Sequence, residues 1–234
     1  MDPFTPKAGY GQNISNSVLG IPRVIRLDEH RVLKKARNVL EPDIMKFITA
    51  NTTIPVPKTY ETKFDEEQKT FYIIMDYMHG KPLDKAWVNL TQDQRASTCR
   101  QIAGYLKELR QLTGKQIEGV NGTPVRTPSN NPGHHHAIHF AHGDLSPRNI
   151  LVDEGGHITA VLDWEWAGWF PEYWDVVRML TDIPSKKQMP EYAKHLHSVP
   201  LYQYEREYFA MVHVLRLEPP DPRWKTIHPA TSSN

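Results

Sequence analysis

Residues 142–163, HGDLSPRNILVDEGGHITAVLD, decide how this chain is read. The runs 149–153 and 157–162 are β-rich, and Glu154-Gly155-Gly156 between them supplies the positive φ angles of a tight hairpin turn. Two antiparallel strands follow. Counting back from the turn pairs Asp153 with Ile158, Leu151 with Ala160 and Asn149 with Leu162, so Asn149 and Asp163 emerge side by side at the open end. Asp144 lies five residues before Asn149, the spacing at which an Asp orients an attacking hydroxyl while an Asn binds metal. Hard oxygen donors of this kind suit Mg²⁺, and the layout predicts phosphoryl transfer from a Mg²⁺-nucleotide.

Outward from this segment, the chain has the composition of a folded protein. Its 234 residues are 39% hydrophobic, enough for one ordinary domain or two small lobes around a cleft. Lys and Arg total 28 against 27 for Asp and Glu, a net +1, which gives no field to recruit nucleic acid or a membrane surface. One cysteine, Cys99, excludes an internal disulfide framework. The first residues lack the apolar run of a signal peptide, and no stretch approaches the ~20 apolar residues that span a bilayer, so a soluble, cytoplasmic protein is expected. Oligomeric state is not legible.

Residues 1–20, rich in Gly, Asn and Ser, read as an irregular tail. The runs 23–27 and 31–34 read as a small hairpin around Asp28-Glu29, with Lys34 near the end of the second strand. Ile44, Met45, Phe47 and Ile48 recur at helical spacing within 40–50, where Pro42 is tolerable only in the first turn. The run 71–75 is a buried strand, and 76–82 reads as a connection between lobes, with the boundary near His79. Thr91 to Gln94 has the capping-box pattern, and Cys99, Ile102, Leu106 and Leu109 share one face of the helix that follows. Residues 113–136 read as a long surface loop. An aromatic loop and helices near 172–180 and 202–217 complete an α+β, two-lobed architecture, with a nucleotide-binding lobe at 1–79 and a catalytic and acceptor-binding lobe at 80–234.

The segment 142–163 resembles the aminoglycoside phosphotransferase family, relatives of the choline kinases within the protein-kinase-like fold, and its fungal branch in particular. The similarity runs through 53–57, 72–77, 79–83, 142–149 and 162–168, most of residues 30–180. It implies a bilobal protein-kinase-like fold with a small β-rich lobe and a larger, mainly helical one. It also implies that Asp144 faces the acceptor hydroxyl, that His142 supports the catalytic loop, and that Asn149 and Asp163 bind Mg²⁺. Lys34 resembles the strand lysine that contacts the α- and β-phosphates. Lys35 is its rival, but strand alternation lets only one of the two face the cleft. Glu41 aligns with the helix glutamate that pairs with this lysine, yet Pro42 follows it directly and forces it towards the helix start, which leaves open whether Glu41 or Asp43 is the partner or Glu41 only favours the helix dipole as an N-terminal acid. Residues 75–78 correspond to the hinge, with Asp76 and Met78 at the adenine edge. A glycine-rich phosphate loop is missing, and 13–20 is the only small, polar stretch where one belongs.

Other residues carry a plain reading beside a functional one. Trp164, Trp166, Trp169, Phe170, Tyr173 and Trp174 fall within eleven residues and include four of six tryptophans; core packing is the default, an apolar or cation-π wall for an acceptor the alternative. Glu165 either assists metal or substrate or is a paired structural acid. Asp175 either adds charge near the acceptor or supports the catalytic loop. His134, His135, His136, His139 and His142 lack the partners and spacing of a zinc site. The sequence therefore predicts an ATP- and Mg²⁺-dependent kinase acting on a small-molecule hydroxyl. Its rival, a weak or inactive pseudokinase, draws on the missing glycine loop, Pro42 and the small first lobe.

Overall fold

Strand alternation builds the first layer. β1 (Val24–Arg26) and β2 (Arg31–Ala36) form the expected hairpin, turned by Asp28, whose Oδ1 accepts the main-chain amides of His30 and Arg31. β3 (Thr59–Asp65) and β4 (Thr70–Asp76) complete an antiparallel sheet in the order β1-β2-β4-β3. Val32, Ile73 and Met75 face one side, where α1 (Glu41–Asn51) lays Ile44, Met45 and Ile48 against them. Leu33 and Ile74 face the other side and pack with Leu27. The computed structural model describes residues 2–15, 23–124, 136–181, 189, 192–196, 204, 206–208 and 211.

The described part of the N-terminal stretch is irregular, as its composition predicts, but it is not a free tail. Lys7 and Gly11 donate main-chain hydrogen bonds to Leu27 and Arg26, Ile14 donates to Val24, and Phe4 covers Leu27, Leu33 and Ile74. These bonds are made by the main chain, which composition does not report. β3 was likewise invisible: its middle residues are exposed at the sheet edge, so no apolar period marks it.

Between Asp76 and Lys81 the chain leaves this sheet and joins a second one. β5 (Lys81–Pro82) pairs with β9 (Ile150–Val152), which pairs with β10 (Ile158–Val161), the hairpin read from the sequence. Leu151 faces Ala160 as expected, but Ile158 pairs with Val152 and not Asp153. The register shifts between Ile158 and Ala160, where the Thr159 hydroxyl donates to the carbonyl of His79. In the turn only Gly156 has a positive φ, 79°. Asp153 replaces the second such residue by accepting the amides of Gly155 and His157 on Oδ1.

After the short α2 (Leu83–Ala86), α3 (Gln92–Gln111) begins at the predicted capping box: Thr91 and Gln94 exchange side-chain and main-chain hydrogen bonds. Its buried face is the predicted set Cys99, Ile102, Leu106 and Leu109, joined by Thr98.

The loop expected over 113–136 is corrected by the structure. β6 (Thr113–Gly114) and β7 (Glu118–Gly119) join β8 (Ile138–Ala141) and β11 (Gly168–Pro171) in a third sheet, order β6-β8-β11-β7; residues 125–135 lie outside the described ones. Glycine suggested a loop here, whereas Gly114 is a close-approach site. A Cβ on it would lie 2.3 Å from the Trp169 ring. The supposed aromatic loop is thus partly strand β11. α4 (Trp174–Thr181) occupies the expected helix near 172–180, and α5 (Tyr192–His195) is a short turn of helix; of the helix expected over 202–217 only 204, 206–208 and 211 are described, and 206–208 and 211 are helical. Among the described residues no helix is long and apolar enough to cross a membrane.

Candidate active site

β2 carries Lys34 on the same face as Val32, into a cleft of about 510 Å³ that Asp144, Asn149 and Asp163 also line. Lys34 is 4% exposed, while its neighbour Lys35 points to solvent, which settles which of the two enters the cleft. Its ammonium lies 2.6 Å from Glu41 Oε1 and 2.5 Å from Asp163 Oδ1. Burial alone would lower the pKa of Lys34, but Glu41, Asp163 and Glu165 outweigh it and hold the amine above its ordinary value. Asp163 is lowered in turn, because Lys34 more than reverses the effect of its own burial.

Pro42 does not prevent the Lys34–Glu41 pair. Glu41 is the first residue of α1 and Pro42 sits in the first turn, where no main-chain amide is needed, so the glutamate drops from the helix start onto the lysine. Asp43, the alternative, is exposed.

His142 joins the two halves of the site. Its Nδ1 accepts from the amide of Asp144, so Nε2 carries the proton and donates to the carbonyl of Leu162, the residue before Asp163. Leu162 in turn donates its amide to the Asn149 carbonyl at 2.8 Å, which closes the hairpin's open end as the sequence predicts. Gly143 has φ 82°, and a Cβ there would lie 2.3 Å from the Trp166 carbonyl. Asp163 itself sits at φ 68°, ψ 54°, a left-handed conformation unusual for a residue with a side chain and a mark of functional sites. Asn149 donates its amide Nδ2 to the Asp144 carbonyl, which turns Oδ1 away as the atom able to ligate a cation.

Asp175 supports the loop that carries Asp144. Its two oxygens accept the amides of His142 and Gly143, at 2.8 and 2.9 Å, and burial raises its pKa. Glu165 is buried and tied to the first sheet region through Arg23, which donates to its carboxylate at 2.8 Å, and through the Asn38 side-chain amide, which donates to its main-chain carbonyl, while Arg37 lies 3.6 Å away. Glu41, Asp163 and Glu165 offer oxygens within 4.8 Å of one another, and Glu41 Oε2 and Glu165 Oε1 have no hydrogen-bond partner. This hard-oxygen set fits a divalent cation, and Asn149 lines the same cleft.

Asp76 and Met78 both line the cleft, but the Asp76 carboxylate is taken by the amide of Lys58 and the hydroxyl of Tyr60. Ile14 and Ser15 line it too, at the start of the stretch read as a phosphate loop; 16–22 lie outside the described residues. Of the aromatic group, Trp164, Phe170, Tyr173 and Trp174 are buried in the core and Trp166 alone lines the cleft. His134 and His135 are outside the described residues, and His136 pairs with Glu207 and Glu172, away from the cleft. Sequence reading missed Arg148 and Arg178, which both bond to Asp144, and Arg23; the only trace was Asp175 and Arg178 at helical spacing.

A model of the phosphotransferase enzyme family (APH) matches residues 124–208, the part that holds the segment 142–149 and the hairpin after it. No curated protein matched the sequence. Among solved structures, ADP-bound aminoglycoside phosphotransferase APH(2'')-Ib superposes with a TM-score of 0.60 at 14% identity, covering 90% of this chain and 83% of that one. The streptomycin-ATP-APH(2'')-IIa ternary complex gives 0.59 at 15% identity, covering 82% and 79%. The GDP complex of an aminoglycoside 2'-phosphotransferase-IIIa mutant gives 0.60 at 14%, covering 81% and 77%. The chain thus has the bilobal, kinase-like α+β fold of aminoglycoside phosphotransferases.

Proposed function

We propose that this protein is an ATP- and Mg²⁺-dependent kinase that transfers the γ-phosphoryl group to a hydroxyl of a small molecule. The observation that carries the reading is the convergence of the Lys34–Glu41 pair, Asp144, Asn149 and Asp163 on one cavity. The family match over the catalytic loop supports it, as does a similar fold solved with both ATP and streptomycin bound. The pseudokinase alternative loses one of its supports, since Pro42 leaves the Lys34–Glu41 pair intact.

In this reading residues 1–79 form the nucleotide lobe and 80–234 the catalytic and acceptor lobe. The adenine lies among Val24, Val32, Met75 and Leu151, against the main chain of 76–78. Lys34, held charged by three carboxylates, contacts the α- and β-phosphates, and Glu41 fixes where its ammonium points. Asn149 Oδ1 and Asp163 would hold Mg²⁺, which when bound neutralises charge on the phosphates. Asp144 orients the acceptor hydroxyl and takes its proton; positioning and charge stabilisation are most of what such a transfer requires. Trp166 forms the apolar wall of the acceptor end.

The test is incubation with ATP, Mg²⁺ and a metabolite extract, read by mass spectrometry. A small molecule that gains one phosphoryl group with the wild-type protein and not with Asp144→Asn is the expected result. Asp144→Ala should cost on the order of 10² to 10⁴ in turnover on that substrate. Equal product from wild type and Asp144→Asn would remove Asp144 from its role.

A further inference from the structure

Both carboxylate oxygens of Asp144 are engaged by guanidinium groups. Oδ1 accepts from Arg178 Nη2 at 2.8 Å; Oδ2 accepts from Arg148 Nη2 at 2.7 Å, with the Asn149 amide a longer second donor at 3.3 Å. Each carboxylate oxygen has two lone pairs; on Oδ2, the side of the cleft-lining Arg148, both are taken, so a hydroxyl reaches Oδ2 only when one of its two donors gives way. The two arginines differ in setting. Arg148 lines the cleft and its side chain is 40% exposed, whereas Arg178 reaches Asp144 from α4 and its side chain is 23% exposed.

α4 is bound to the same loop at three more points. Asp175 accepts the amides of His142 and Gly143, and the Trp174 indole donates to the Gly143 carbonyl. Asp175 and Arg178 are three residues apart and so share one helix face. One helix therefore fixes the loop's main chain with an acid and its working carboxylate with a base. A guanidinium bond to a carboxylate is charge-assisted and directional, and here it sets the plane of the carboxylate as well as its position.

We propose that Arg178 is a positioning residue for phosphoryl transfer, an inference that rests on the kinase reading above. It retains Oδ1 throughout and so presents Oδ2, while Arg148 is the partner that the acceptor displaces. In the transfer, the acceptor oxygen bonds to the γ-phosphorus. The bond from that phosphorus to the β–γ bridging oxygen breaks, its electron pair leaving with ADP, and the hydroxyl proton passes to Oδ2. Without Arg178 the carboxylate is free to turn about its Cβ–Cγ bond, and misplacement on the scale of 1 Å costs about 10²-fold.

Release of ADP from Mg²⁺-ATP with water as the acceptor tests this without knowledge of the natural substrate. Arg178→Gln should lower kcat about 10²-fold and leave KM for Mg²⁺-ATP unchanged. Arg178→Lys, which keeps a cation within reach of Oδ1, should recover most of the rate. The double variant Asp144→Asn/Arg178→Gln should be no slower than Asp144→Asn alone, because residues that act as one unit do not add. A loss that persists undiminished in the Asp144→Asn background would overturn the inference, as would wild-type kcat in Arg178→Gln. If Arg178→Gln does not fold, Arg178→Lys decides: a folded lysine variant with wild-type KM and a rate near that of Asp144→Asn contradicts it. If the wild-type protein releases no ADP with water, the same variants are compared on the acceptor phosphorylated in the metabolite extract, and the same outcomes decide; absence of product there as well overturns the kinase reading, which separates that failure from failure of the Arg178 assignment.

Discussion

Gly143 is the residue with the least room for change. Its positive φ and the 2.3 Å separation between a hypothetical Cβ and the Trp166 carbonyl leave backbone as the obstacle, and backbone does not move aside cheaply. Gly143→Ala should lower stability by about 1–3 kcal/mol and displace Asp144, read as a fall in melting temperature together with lost turnover. Asp28 gives a test by pH. The Arg31 guanidinium holds its carboxyl well below the usual range, helped by the His30 amide, so its contribution to stability is full above the unfolded value of about 3.9 and is lost as pH falls. Asp28→Asn should cost on the order of 1–3 kcal/mol at neutral pH and flatten the acid limb of the stability curve; an acid limb as steep as the wild type's would contradict the assignment. The residues of the catalytic segment were legible because their types and spacing are set by chemistry. Arg178 was not, since an arginine reads the same whether it meets water or a carboxylate 34 residues away in the chain, and Arg148, only four residues from Asp144, lies in a short turn that carries no period to say which way its side chain points.

The elements divide by whether their signal is local. α3 announced itself through a start signal and an apolar stripe, and the structure keeps both. Thr91→Ala should destabilise by about 1 kcal/mol, measured by denaturant unfolding, with no change in nucleotide affinity. Cys99, on that helix's buried face, has its thiol pushed up to about 12 by burial and is 1% exposed. Thiol reagents at pH 8 should leave it unmodified in the folded protein and label it after denaturation; rapid labelling of the native state would place that face elsewhere. β6, β7 and β11 had no such signal. They are two- to four-residue strands, rich in glycine, whose pairing partners lie far off in sequence, and a strand that short has no period to read.

At the scale of the molecule, the two sides of the cleft are held together by charge as well as by apolar packing. Arg23 and Asn38 from the first sheet region reach Glu165 beyond the hairpin, and Lys34 bridges Glu41 to Asp163. The bilobal outline was legible because strands come first and helices later, and because the hairpin and its neighbouring loop are continuous in sequence. The cross-cleft contacts were not, because each joins residues more than 120 positions apart. The central claim is that Asn149 and Asp163 close on one divalent cation that carries the nucleotide phosphates. Calorimetric titration of ATP into the protein, with Mg²⁺ or with EDTA, measures this directly. The account predicts binding at least about tenfold tighter with Mg²⁺, a difference of roughly 1.4 kcal/mol, and loss of that difference in Asp163→Asn. Equal affinity with and without Mg²⁺ in the wild-type protein, or an Asp163→Asn variant that keeps the Mg²⁺ effect, would contradict it.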